Sequence, residues 1–307
     1  MEALAIPALW FVGTLLALQT AANVQLARAM TSPVGASTLQ LAIGAALLVA
    51  AAAVGGSLGV LGSLDRAEPW QLIGGLGSAV YITAGIMVLP RLGALVAVGL
   101  FIAGQMLASL LLDGFGWLGV ERDAPGAASV FGAVAVIVGT WLTVRAQAGA
   151  GALERAARER GGWIALALAA GAVLPVQGAV NAELNAELDA ALTVGAFSFL
   201  VATAAMALAL AAVIAVGSPR PWLAGLPSVP WWGWLGGLCG ATYVTAVFLL
   251  IPEIGAAPVV VSTVAGQQIA SIALDRYGLL RLPCRPISRR RLAGVALLLT
   301  GVVLITA

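Results

Sequence analysis

Polar side chains recur at helical spacing inside apolar stretches of this chain, and their types limit the chemistry open to them. Gln19 and Asn23 lie four residues apart and share one face of a helix; Gln177, Asn181 and Asn185 repeat that spacing. Gln105, Ser109 and Asp113 follow one another at i, i+4, i+8, as do Gln267, Ser271 and Asp275, so each set draws a polar stripe down one helix. Tyr81 and Tyr243 stand mid-stretch, each behind a run of glycines, where a neighbouring helix or a guest can approach closely. Amides and hydroxyls donate and accept hydrogen bonds but carry neither formal charge nor a proton exchangeable near neutrality. The chemistry they support is recognition. Asp113 and Asp275 close their stripes, where an acid pairs with a loop arginine or caps the next segment. Glu183 and Glu187 follow Asn181 and read as the exit loop of that helix, its last turn being the alternative. With no His, no general base is poised near neutral pH, which argues against an enzyme. With Cys239 in an apolar run and Cys284 in a loop, neither a tetrahedral metal site nor a disulfide framework assembles. The chain has no lysine and no phosphate-binding loop, so ATP powers it only through a partner, and no cofactor is expected.

The elements that position these residues are set by composition. Of 307 residues 61% are hydrophobic and 9% charged, and mean hydropathy is +1.04. A soluble domain carries about 25% charge, so the chain is an all-α membrane protein. Apolar runs bounded by Gly, Pro and charge give ten expected spans: 4–26, 34–54, 70–90, 93–112, 127–144, 163–182, 193–216, 231–251, 255–274 and 292–306. The pair around Arg91 is separated by a turn at Pro90-Arg91-Leu92-Gly93, because one 40-residue helix of about 60 Å would overshoot a bilayer. A net charge of +2 leaves no basic face for nucleic acid. The first apolar stretch opens with Glu2 rather than basic residues and does not read as a signal peptide. Trp70, Trp117, Trp163, Trp222, Trp231 and Trp232 fall near span ends and read as interface anchors in contact with membrane lipid.

The chain is internally duplicated. Ile73 to Ala94 aligns with Leu235 to Ala256 at an offset of 162, with ten identities in 22 positions. The match continues through Gln105, Ser109 and Asp113 against Gln267, Ser271 and Asp275, while Gln19 and Asn23 match Gln177 and Asn181 at an offset of 158. Residues 1–146 form a first five-helix repeat, 147–161 a charged cytoplasmic linker, and 162–307 a second repeat. Five is odd, so the second copy enters the membrane from the opposite side. Arginine placement agrees. With both termini outside, thirteen of the fifteen arginines are cytoplasmic, Arg66 and Arg122 being the exceptions. Charge also inverts at equivalent loops: Arg91 matches Glu253, and the loop of Glu121, Arg122 and Asp123 matches the arginine-rich one that runs from Arg285 to Arg291.

These motifs carry a resemblance. Gln-x-x-x-Asn in the first helix, a Gly-rich third helix with Tyr and a closing Pro-x-x-Gly, and Gly-Gln-x-x-Ala-Ser-x-x-x-Asp in the fourth resemble the YdcZ-like branch of the drug/metabolite transporter superfamily, here as two fused units. The resemblance implies ten helices in two inverted repeats, with a cavity between them built mainly by the first four helices of each. The third helix is also similar to that of the small multidrug resistance proteins, in which a tyrosine of the stretch matching Tyr81 to Ile86 lines the pocket. Those proteins carry a proton-exchanging glutamate where Gln19 stands, and an amide cannot titrate, so that coupling does not carry over.

A buried amide in hydrocarbon requires an interhelical partner or a hydrated cavity. Gln19, Asn23, Tyr81, Gln105 and Ser109, with Gln177, Asn181, Tyr243, Gln267 and Ser271, are the expected solute-binding residues; interhelical bonding is the alternative for each. Gly74, Gly77, Gly85, Gly236 and Gly240 read as packing residues. The expectation is a secondary transporter or facilitator of a small organic solute in a bacterial inner membrane, working by alternating access. A passive channel is the alternative. One chain suffices, and a dimer is left open.

Overall fold

The computed structural model describes residues 2–122, 126–148, 153–284 and 288–305. Asp123, Arg285, residues 149–152 of the linker, and the side chains of Arg145, Arg155, Arg158, Arg160 and Arg291 lie outside the described residues.

Among the described residues the chain forms ten α-helices. The first repeat contains α1 (Glu2–Met30), α2 (Pro33–Val54), α3 (Gly75–Leu92), α4 (Ala94–Phe115) and α5 (Ala127–Ala148); the second contains α6 (Leu153–Leu188), α7 (Ala191–Ala215), α8 (Gly236–Ile254), α9 (Ala256–Tyr277) and α10 (Arg289–Ile305). Seven stretches of 22 to 28 residues are long and apolar enough to cross a membrane: Ala8–Met30, Pro33–Val54, Pro69–Leu92, Ala94–Phe115, Gly161–Leu188, Ala191–Ala215 and Trp231–Ile254. α5 and α10 carry shorter apolar segments, Ala127–Gly139 and Leu292–Gly301.

Local chemistry sets the boundaries. Ser32 caps α2 by accepting the Gly35 N–H at 3.0 Å, and Pro33 occupies the first helical position. α3 and α4 are joined through the single residue Gly93, at φ 82° and ψ 160°; Gly255 joins α8 to α9 at φ 85° and ψ 160°. A Cβ is barred from that conformation, so glycine there lets the chain reverse within one residue.

Two expectations are corrected. α6 begins at Leu153, inside the stretch read as linker, and runs to Leu188, so Glu183 and Glu187 lie in its last turns rather than in an exit loop. Ala182 to Leu188 is built of good helix formers with no Gly or Pro. Charge marks where a helix leaves the hydrocarbon, not where it stops: 36 residues reach about 54 Å against a core of about 30 Å.

Equivalent helices of the two repeats run antiparallel against each other. In α2 and α7, Gly44 faces Phe199 while Leu48 faces Gly195; in α5 and α10, Gly139 faces Leu298 while Val136 faces Gly301. In α4 and α9, Gln105 meets Gln267 while Ala94 and Leu95 meet Asp275. Numbers rise on one helix as they fall on its mate, so the axis relating the repeats crosses the helices rather than running along them.

The repeats interlock. α1 packs on α8 and α9, and α6 packs on α3 and α4. The crossings are held at backbone contact by four glycines in two equivalent pairs. A Cβ on Gly13 would fall 1.8 Å from the Thr263 carbonyl oxygen and one on Gly266 1.8 Å from that of Trp10; for Gly171 and Gly104 the neighbours are the carbonyl oxygens of Phe101 at 2.1 Å and Leu168 at 2.0 Å. In hydrocarbon, where lipid is as apolar as leucine, such small-residue contacts drive helix association.

Candidate functional site

Interlocking carries the first helix of each repeat to the third helix of the other, and a cavity lies where the four meet. It is lined in equivalent pairs: Leu16 of α1 with Leu174 of α6, and Ser78, Tyr81 and Ile82 of α3 with Gly240, Tyr243 and Val244 of α8. Gln19 and Phe199 complete the wall. The space open to the centre of a water molecule is about 10 Å³, room for a single water. Both tyrosines are 3% exposed, and the Tyr81 ring packs on Phe101 at 5.0 Å between centroids, tilted by 53°. Phe101 corresponds to Thr263 in the second repeat, so the two tyrosines stand in different surroundings.

The amides expected to line the cavity separate into partnered and unpartnered sets. Both amide atoms of Gln177 contact the Ser78 hydroxyl, with Nε2 at 2.7 Å and Oε1 at 3.1 Å, and Asn181 Nδ2 donates to Ser198 Oγ at 3.1 Å. Gln19 Oε1 and Asn23 Oδ1 are buried with no hydrogen-bond partner among the described residues. Gln105 and Gln267 donate to each other across α4 and α9, at 3.3 and 3.4 Å, away from the cavity wall. Ser109 donates to the Met106 carbonyl and Ser271 to that of Gln268, each within its own helix. The Asp275 carboxylate accepts the N–H groups of Ala94 and Leu95 at 3.0 and 3.1 Å, capping the start of α4 from the end of α9. Glu183 packs against Gly119, in the loop after α4, and Glu187 is exposed. No acid is among the residues that line the cavity.

Sequence reasoning missed Ser78, Ser198, Gln40 and Gln268. Gln40, in α2, is fully buried with both amide atoms unpartnered among the described residues, and Gln268 Nε2 is unpartnered too. Site residues are legible where the two copies repeat, and Ser78, Gln40 and Gln268 break the repetition. Ser78 aligns with Gly240, and Gln40 aligns with Leu200 when Val34-Gly35-Ala36 is set on Val194-Gly195-Ala196.

No cluster of His, Cys, Asp or Glu capable of holding a metal occurs among the described residues. Inverted helical repeats closing on a cavity walled by amide, hydroxyl and apolar groups are an architecture that suits a membrane transporter. The chain belongs to the family described as "Putative inner membrane exporter, YdcZ", whose model matches residues 4–142 and again 162–304, once in each repeat. The comparison with curated proteins gives no match. A solved structure described only as "Crystal structure of protein" matches at 20% identity with a TM-score of 0.63, over 98% of this chain and 96% of that one, which shows a shared fold.

Proposed function

We propose that the chain crosses the inner membrane ten times, with both termini outside, and exports a small organic solute by alternating access. The observation that carries this reading is that Gln19 and the two tyrosines, contributed by opposite repeats, wall one small cavity. Two inverted units hinged around a shared site open it to one side or the other by rocking, without rebuilding either unit. A wall without charge suits a neutral, zwitterionic or delocalised-cation solute, since a bare ion needs charge or a ring of carbonyls to replace its water. Room for one water speaks against a standing pore and so against a channel. Large exposed apolar side chains such as Phe11, Phe131 and Leu208 supply the lipid contact. One chain carries both repeats and suffices.

The test is solute counterflow in proteoliposomes, using a panel of neutral, zwitterionic and delocalised-cation metabolites first screened by thermal shift. The expected result is saturable exchange that accelerates when unlabelled solute is loaded on the far side. Non-saturating flux, or none with any member, would overturn the reading.

A further inference from the structure

The repeats are equivalent in backbone but not in hydrogen bonding. In the second repeat the first-helix amides are locked, Gln177 onto Ser78 and Asn181 onto Ser198. Glycine faces these amides in both copies, Gly74 against Asn181 as Gly236 against Asn23, but in the first repeat the Gln19 and Asn23 oxygens are unpartnered among the described residues. A Cβ on Gly240, which stands where Ser78 stands in the other copy, would meet Gln19 Nε2 at 2.4 Å; one on Gly236, a turn earlier, would meet Asn23 Oδ1 at 2.3 Å and Gln40 Nε2 at 2.8 Å. Gln19, Asn23 and Gln40 are 2%, 1% and 0% exposed. Gln19 Oε1, Asn23 Oδ1 and both amide atoms of Gln40 have no hydrogen-bond partner among the described residues. Buried polar groups are satisfied almost everywhere in proteins. Three amides with open atoms gather along one face of α8, and the two that have counterparts in the other repeat, Gln177 and Asn181, are bonded there, which singles this wall out.

We infer that Gln19 at the cavity wall, with Asn23 and Gln40 in the row behind it, is the recognition side of the site, and that it takes an uncharged solute presenting a planar donor–acceptor edge, as a primary carboxamide, a urea or a lactam does. This deepens the transport reading and rests on it. A carboxamide places an acceptor oxygen beside an NH₂ donor, and a guest edge with the complementary order closes two bonds at once. Gly236 and Gly240 leave the α8 backbone bare, so the three amides lie directly against it and a guest reaches them from the cavity side, at Gln19. Lining residues without charge give an ionised guest nothing to replace its hydration. Recognition is therefore one-sided: the guest bonds to the first repeat while the Ser78 wall keeps its own bonds.

The experiment uses the full-length protein in proteoliposomes, with acetamide, urea and uracil as neutral probes and guanidinium and acetate as charged ones. Gly240→Ser installs the hydroxyl lock of the other repeat, next to the flexible end of Gln19. Gln40→Met removes one open amide at similar side-chain length. The wild type is expected to take up at least one neutral probe saturably, and both variants to raise its KM about tenfold or more. Gln40→Met is also expected to melt above wild type, because an unpaired buried amide has gone. Wild-type KM in both variants, or saturable uptake confined to guanidinium or acetate, would overturn the inference and leave the transport reading standing. Absence of saturable flux for all five probes and for the wider metabolite panel sinks both.

Discussion

At the scale of single residues, the same amide does two jobs according to what faces it. Gln105 and Gln267 satisfy each other between α4 and α9, so they act as interhelical bonds. A double-mutant cycle with Gln105→Leu and Gln267→Leu should give a coupling of about 0.6 kcal/mol, the average for such bonds in a membrane, with transport KM unchanged. A shift in KM would return them to the site. Gln19 faces the cavity, so Gln19→Ala should lower solute flux about tenfold or more while the thermal midpoint stays near wild type. Wild-type flux in that variant would reduce Gln19 to packing. The recurrence of Gln and Asn in both copies made these residues legible in the sequence. Which were partnered was not, because the partners, Ser78 for Gln177 and each glutamine for the other, come from the opposite repeat and are fixed only by the fold.

At the scale of elements, boundaries depend on backbone chemistry more than on charge. The turn at Gly93 was legible because a proline and a glycine closed an apolar run of helical length. The length of α6 was not, because its acids break the apolar run without ending the helix. Asp275 belongs at this scale: it holds two orphan N–H groups of α4, so Asp275→Ala should lower stability by about 0.5–2 kcal/mol and leave the pH profile of transport unaltered. An altered pH profile would give Asp275 a coupling role. With no acid in the cavity wall and no His in the chain, flux should vary little between about pH 5.5 and 8. Stoichiometric proton movement recorded by an entrapped pH dye would contradict this. The glycine crossings are as specific: Gly266→Val should abolish folded yield, because its first side-chain carbon meets the Trp10 carbonyl.

At the scale of the whole molecule, duplication, an odd helix count and arginine bias pointed to two inverted repeats, and the antiparallel meeting of α2 with α7, α4 with α9 and α5 with α10 gives that inversion its physical form. What the halves enclose is nearly closed, so the account requires motion: a cavity with room for one water serves a solute only if the repeats part on alternate sides. Such motion is read out by Ser78→Cys, introduced after Cys239 and Cys284 are replaced, and probed with a membrane-impermeant maleimide from each face of oriented vesicles. Alternating access exposes this position to each face in turn, so labelling is expected from both, each slowed by transported solute. Labelling from one face alone, or from neither, would contradict it.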